Sequence, residues 1–405
     1  MKIAVRFGGE HFDLGVASDD DRVVGAWAGP PAANEENPRD VGPRFAAALE
    51  APRDFPPLSL AVVPGDRVAV ALDLDLEPAV VRPILAELAR TFAAAEVEDV
   101  TIVANMPAPP DLPPGLTWER HDPDDRSRIS YLATTKDGQR VYLNRALTDA
   151  DFVLPVGTLG YDRALGYRGP WSALYPGLSD RETQARFRKL ADDAPIRRDE
   201  PRPALLESSE VGWLIGCQLQ VGVVPAADGG AGEVIAGLES LVRDQGTAAV
   251  DRDWTFEAAE RADVVIAGIG RPGRFATVDD LGAGLAAATS LVRRGGKVVA
   301  LARVDGPIGP AVRRLAGAGN PQAALNRLRG HEAEAEYVAA RQVAAALAWA
   351  DVYLHSGLDA DEVEDLGIIP LARPEEARKL AGSAASLTVL DHAERTRCLT
   401  RDDES

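Results

Sequence analysis

Short runs rich in β-branched residues alternate along this chain with alanine-rich stretches whose apolar residues recur at helical spacing. That alternation restricts the fold more than any other feature. It specifies an α/β architecture with at least partly parallel sheets, because strands separated by helices return through crossovers. Arg67–Leu72 (RVAVAL) reads as a strand. Val80–Ala95 follows as a helix with Ile84, Leu85, Leu88 and Phe92 at helical spacing, and Val100–Ala104 is the next strand, which completes a βαβ unit. Asp151–Val156 (DFVLPV) is a further strand that runs straight into a glycine-rich stretch, Gly157–Gly177 (GTLGYDRALGYRGPWSALYPG). The loop after that strand is expected at the carboxyl edge of the sheet, where ligands bind in open α/β folds.

A second set of strands is expected at Asp263–Ala267, Lys297–Ala302 and Val352–His355, with a helix from Glu334 to Trp349 carrying Tyr337, Val338, Val343 and Leu347 on one side. A chain of 405 residues exceeds one typical core and implies two domains. The polar stretch Asp244–Asp253 marks the expected division, into an N-terminal α/β domain over 1–245 and a C-terminal α/β domain over 246–405. The amino terminus, MKIAVRFGGEHFDLGV, lacks a long apolar core and reads as an opening strand rather than a signal peptide. Proline-rich patches at Gly29–Ala33, Pro107–Pro114 and Glu200–Pro203 read as loops.

Composition removes several classes of function. A formal net charge of -19 opposes nucleic-acid binding, which needs clustered Lys and Arg, and opposes anionic membrane surfaces for the same reason. No apolar run reaches the roughly 20 residues that span a bilayer. Cys217 and Cys398 form neither a CxxC pair nor a disulfide framework, which suits a reducing cytoplasm. Cys217 reads as a buried small hydrophobe and Cys398 as part of a polar tail. His11, His121, His331, His355 and His392 show no metal-ligand spacing, so no metal set is expected from them. His355 reads as a hydrogen-bonded structural residue. Asp359–Asp365 reads as a solvated helix start, where negative charge complements the helix dipole.

Gly157–Gly177 resembles, without a gap, an active-site segment of the nickel-dependent lactate racemase family. Gly157, Gly166, Gly169, Pro176 and Gly177 fall on that segment's glycines and proline. Asp162 stands where the family has its catalytic histidine, and Ser172 where it has the lysine that bonds covalently to a nickel-pincer nucleotide. Glu119–Asn144 resembles the family's His-Asp pair followed by a hairpin: His121 and Asp122 fit the pair, and Asp137-Gly138 supplies the turn. Val70–Pro78 (VALDLDLEP) resembles an aspartate-rich turn ending in Thr-Arg-Pro, with Glu77 in place of the arginine. The loop that carries one acid/base histidine in the family reads Ala104-Asn105-Met106-Pro107 here, and the other histidine falls near Phe187 and Arg188. Gly270-Arg271-Pro272 matches a loop of the second domain, with Asp279 and Gly282 at the positions of a functional glutamine and lysine.

The resemblance implies a two-domain α/β fold of the lactate-racemase type with an interdomain cleft, an isomerase relative acting as a 2-hydroxy-acid racemase or epimerase, and a nickel-pincer nucleotide cofactor. The substitutions imply an altered active site rather than a standard nickel-pincer lactate racemase. Racemisation of a hydroxy acid requires a base that exchanges the hydroxyl proton near neutral pH, which suits histidine better than Asp162. A second reading is a non-catalytic ligand-binding or regulatory paralogue that keeps the cleft. Asp162 and His121 are the candidates for acid/base chemistry. Asp73, Asp75, Arg163, Arg168, Ser172, Tyr175, Arg271 and Asp279 are the candidates for holding a ligand. Arg163 and Arg168, among Tyr161, Tyr167, Trp171 and Tyr175, suit a small anion; alternatively the rings pack and the arginines pair with acids such as Asp162. A third reading, a nicotinamide-dependent oxidoreductase, rests on Gly268–Gly273, which satisfies GxGxxG after a strand. Pro272 and a delayed helix oppose it.

Overall fold

The computed structural model describes residues 2–7, 10–30, 41–192, 196–271, 275–304 and 306–401. The chain opens with a hairpin, β1 (Lys2–Phe7) and β2 (Glu10–Ala17), followed by β3 (Val23–Trp27). Residues 31–252 form one compact unit, and residues 253–405 return to join residues 1–30 in another.

In the 31–252 unit the strands are β4 (Arg67–Asp73), β5 (Asp99–Ala104), β6 (Thr117–Arg120), β7 (Ile129–Thr134), β8 (Arg140–Asn144), β9 (Phe152–Thr158), β10 (Gly160–Asp162), β11 (Gly166–Arg168), β12 (Leu219–Pro225) and β13 (Ala231–Leu238). A six-stranded sheet runs β13-β12-β9-β4-β5-β6, parallel except for β13. Alternate residues of its strands, among them Val68, Val70, Leu72, Ile102, Leu154, Val156, Val221 and Val223, enter one core with the helices Val41–Glu50 and Pro78–Ala94. This is the period-two burial that the sequence pattern requires. After β4 the chain adds β5 and β6 on one side, then crosses to place β9 on the other. The strand order therefore reverses between β4 and β9, so the loops leaving these two strands flank the crevice favoured for ligands.

In the other unit the strands are β14 (Thr255–Ala258), β15 (Ala262–Ile269), β16 (Val292–Ala302), β17 (Asp351–His355), β18 (Ile369–Pro370), β19 (Leu387–Leu390) and β20 (Arg397–Thr400). A parallel sheet runs β18-β17-β16-β15-β19-β3. Val265, Ala267, Val298 and Ala300 face the helices Val278–Leu291 and Tyr337–Trp349, while Val264, Ile266, Val299 and Leu301 face β1, β2 and the helix Glu375–Ser383.

Several expectations change against this frame. The first 30 residues belong with 253–405 because β3 pairs with β19 and the β1–β2 hairpin packs on β15, so the units meet at 30 and 252 rather than near 246 alone. The polar stretch 244–253 is no linker but the body of a helix, Glu239–Trp254, anchored by buried Val242, Ala249, Val250 and Trp254. Cys398, in the polar tail, lies in β20, which pairs with β14. The helix expected from Glu334 begins at Tyr337, since Glu336 is left-handed (φ 62°) and its carboxylate accepts from the Gly309 N–H at 2.7 Å. No helix among the described residues is long and apolar enough to cross a membrane.

Candidate functional site

The 157–177 stretch does leave β9 at the carboxyl edge of its sheet, as β10, β11 and the short helix Pro170–Leu174. Its glycines answer to close main-chain approach. A Cβ on Gly157 would lie 2.7 Å from the Pro170 nitrogen, and one on Gly177 would lie 2.5 Å from the Ala173 carbonyl oxygen. Gly166 has φ +82°, a left-handed conformation that glycine adopts at no steric cost.

The polar side chains of the loop are engaged within the unit. The Asp162 carboxylate accepts from the N–H groups of Ala164 (2.7 Å) and Leu165 (2.8 Å), capping the turn between β10 and β11. Ser172 donates to the Gly169 carbonyl at 2.8 Å and accepts from the Gly169 N–H at 3.0 Å, which closes the first turn of the 170–174 helix. Arg168 pairs with Asp75 at 2.6 Å and not with Asp162, and the Asp75 N–H donates to the Thr158 hydroxyl at 2.9 Å. The loops after β4 and β9 are thus tied to each other across the strand-order reversal. Arg163 takes part through its carbonyl, which accepts from the Asp192 N–H at 2.9 Å and from the Arg202 guanidinium.

The aromatic residues are pinned as well. Tyr161 and Tyr167 both donate to Asp251 on the Glu239–Trp254 helix, each at 2.9 Å to Oδ1. Trp171 donates from Nε1 to the Tyr167 carbonyl at 3.0 Å. Tyr175 is fully buried, donates to Glu207 at 2.8 Å and accepts from Arg186 at 3.0 Å. Burial, reinforced by the Glu207 charge, pushes the Tyr175 phenol well above the usual tyrosine range. Phe187, near the position expected for a histidine, packs edge-on against Tyr175 at 5.3 Å.

The remaining candidates are spread around this loop. Asp73 ends β4, half-buried and in register with Gly157 of β9. Glu77 stands before the 78–94 helix with its carboxylate over Gly229, where an added Cβ would approach to 2.6 Å. His121 is buried; its Nε2 meets the Ser179 carbonyl at 2.9 Å and its Nδ1 lies 3.4 Å from the Asn144 amide. Burial holds its pKa below the usual histidine value despite the Ser179 carbonyl. His121 therefore links the end of β6 to the segment after the 170–174 helix. Lys136 and Lys189 are exposed, on the β7–β8 turn and in the last turn of the Arg181–Lys189 helix.

In the other unit Arg271 follows β15 and pairs with two acids, Asp280 at 2.8 Å and Glu394 at 3.7 Å. Asp279 is exposed in the first turn of the Val278–Leu291 helix. That helix opens with a reciprocal cap, in which the Thr277 N–H donates to the Asp280 carboxylate and the Asp280 N–H to the Thr277 hydroxyl; the acids Asp279 and Asp280 in its first turn oppose a dinucleotide pyrophosphate there. Pro272 and Gly273 lie outside the described residues. His355 meets the Leu371 carbonyl at 2.8 Å, in keeping with a structural role. Among the described residues no three His, Cys, Asp or Glu side chains converge as a metal set. The partners Asp251, Glu207, Arg186 and Glu394 carry no local sequence signal, because each meets its loop across a long chain separation or follows a strand too short to read.

Residues 115–191 match the family model for the lactate racemase N-terminal domain, a span that contains both the 119–144 and 157–177 stretches. The structure is similar to that of the lactate racemase apoprotein from Thermoanaerobacterium thermosaccharolyticum, with a TM-score of 0.77 at 16% identity over 98% of this chain and 100% of that one. It is also similar to the structure of a protein from Thermotoga maritima, with a TM-score of 0.66 at 12% identity over 92% of this chain and 100% of that one. No curated protein matches the sequence.

Proposed function

We propose that this chain, whose fold is that of a lactate racemase and whose residues 115–191 match the lactate racemase N-terminal domain, is a relative of the 2-hydroxy-acid racemases with an altered site, and not a nickel-pincer lactate racemase. The observation that carries this is Ser172, which stands where the resemblance places the cofactor-bearing lysine. It has no amine to form the bond, and its hydroxyl is both donor and acceptor to Gly169. The neighbouring groups agree. Asp162 is bound to two main-chain N–H groups, and Phe187, near which the resemblance puts a histidine, packs against Tyr175. The nickel-pincer nucleotide therefore does not fit the residues present, and we assign no step to it.

The loop after β9 instead acts as a buttress that fixes the carboxyl edge of the sheet through Asp75, Asp251 and Glu207. The Arg168 charge is already met by Asp75 at 2.6 Å, which weakens the attraction of this residue for a small anion. Chiral analysis of lactate tests the proposal. Purified protein from a host that makes the pincer cofactor is expected to leave L-lactate unracemised over a long incubation. Accumulation of D-lactate above a Ser172→Ala control would overturn it.

A further inference from the structure

The segment after β19 ties together the carboxyl ends of three strands. Asp391 donates its N–H to the Trp27 carbonyl at 2.8 Å, at the end of β3, and accepts from the Arg6 N–H of β1 at 3.1 Å. Ala393 donates to the Gly268 carbonyl of β15 at 3.0 Å, and Glu394 accepts from the Gly270 N–H at 3.2 Å. Thr396 accepts from the Trp27 indole at 3.1 Å. In this unit the strand order reverses between β15 and β19, and this segment lies beside that reversal.

Two of its side chains are buried without adequate partners for charge. The Glu394 side chain is 1% exposed, its Oε1 makes no hydrogen bond among the described residues, and Arg271 Nε lies 3.7 Å away. The same guanidinium is held at 2.8 Å by Asp280, so two buried carboxylates compete for it, with the Arg395 charge further off. A buried carboxylate so poorly compensated is stabilised by taking up a proton. His392 is 2% exposed, its Nε2 makes no hydrogen bond among the described residues, and its ring meets Trp254 edge-on at 5.7 Å. Arg6 and His11 of the hairpin, Arg271 of the turn after β15 and Arg395 of its own segment oppose a charged imidazole, while the adjacent Asp391 carboxylate accepts the His392 main-chain N–H at 3.0 Å.

We infer that residues 391–396 are a proton-linked clasp: in the folded chain His392 is a neutral imidazole and Glu394 a carboxylic acid, and ionisation of Glu394 loosens the hold on the Gly270–Arg271 turn. Burial pushes Glu394 up to about 7 against Arg271 and Arg395, with Asp280 adding to the rise. Burial, then Arg6, hold His392 down at about 3. The consequences for stability have opposite signs. The unfolded chain holds a proton on His392 up to its ordinary value of 6.5, so this group makes stability rise with pH between about 3 and 6.5. The folded chain holds a proton on Glu394 above its ordinary value of 4.5, so that contribution falls as pH rises toward about 7. Between 4.5 and 6.5 the two cancel, and folding moves a proton from histidine to glutamate with no net uptake.

Denaturant unfolding of the full chain from pH 5 to 6.5 separates the two groups. Relative to wild type, Glu394→Gln is expected to add a pH slope of about one proton released on folding. His392→Asn, which tolerates the φ of +53° at this position, is expected to add a slope of about one proton taken up. Slopes unchanged from wild type in both variants would overturn the inference. Amide exchange in the wild type needs no variant. Opening at the Gly270 N–H, corrected for intrinsic pH dependence, should increase as pH rises through 7 while the Val299 N–H, within the sheet, stays constant. Constant protection at Gly270, or a His392 imidazole titrating near 6.5, would equally overturn it.

Discussion

Replacing Gly157 by alanine tests most sharply whether the loop after β9 is built as packed structure. The added Cβ would stand 2.7 Å from the Pro170 nitrogen, 2.8 Å from the Gly169 carbonyl carbon and 2.9 Å from its oxygen, all main-chain atoms. Ordinary carbon contacts begin at about 3.5 Å, so the loop must retreat by close to 1 Å. The strand cannot retreat in its place, because Gly157 is paired on both sides, with Asp73 of β4 and Gly222 of β12. Overpacking of this kind costs about 2–3 kcal/mol. For a unit of this size each kcal/mol moves the melting midpoint by about 2–4 °C, so a drop of roughly 4–12 °C is expected. Thermal and denaturant unfolding of the full chain, followed by tryptophan fluorescence, measures it. Gly382→Ala serves as control, since a Cβ there meets nothing within 4 Å and helix propensity gains about 0.5–1 kcal/mol. A Gly157→Ala protein within about 0.5 kcal/mol of wild type would refute the packing argument.

Tyr167→Phe removes a buried hydroxyl that bonds both oxygens of Asp251, at 2.9 and 3.0 Å, and should cost about 1.5–3 kcal/mol by denaturant unfolding; a neutral result would remove Asp251 as an anchor. His121 is held neutral by burial, so the unfolded chain binds its proton more readily and the 31–252 unit should lose stability as pH falls below about 6.5. Its imidazole should show no titration near 6.5 by NMR, and a normal titration would contradict its burial. The Cys217 thiol, pushed up to about 12 by burial, should resist alkylation in the native chain while partly exposed Cys398 reacts first. Equal rates at the two cysteines would contradict the packing around Cys217.

The parts of the fold that were legible in the sequence are those with strong local period. β4, β5, β9 and β16 are buried runs bounded by turns, and the 78–94 helix shows its apolar face directly. β3 and β19 were not legible, the first because Gly25 interrupts it and the second because it spans only four residues. Their pairing is what draws the amino terminus into the unit with 253–405, a contact that no local pattern encodes. The Asp244–Asp253 stretch misled because its acids look like a linker. Asp251 in fact faces the tyrosines of a loop 84 residues earlier in the chain. The position of the 157–177 loop could be read from the strand before it, whereas the partner of Arg168 lies 93 residues away at Asp75. The role of Ser172 in closing the first turn of its helix is legible from the Gly169-Pro170 pair before it, whereas its two bonds to Gly169 are not.

The most direct test of the central claim is intact-mass measurement with nickel analysis on protein purified from a host that makes the pincer nucleotide. The unmodified chain mass and no stoichiometric nickel are expected, because Ser172 and its Gly169 partners offer no attachment. Stoichiometric nickel with a mass increase mapping to Ser172, Lys136 or Lys189 would contradict the account.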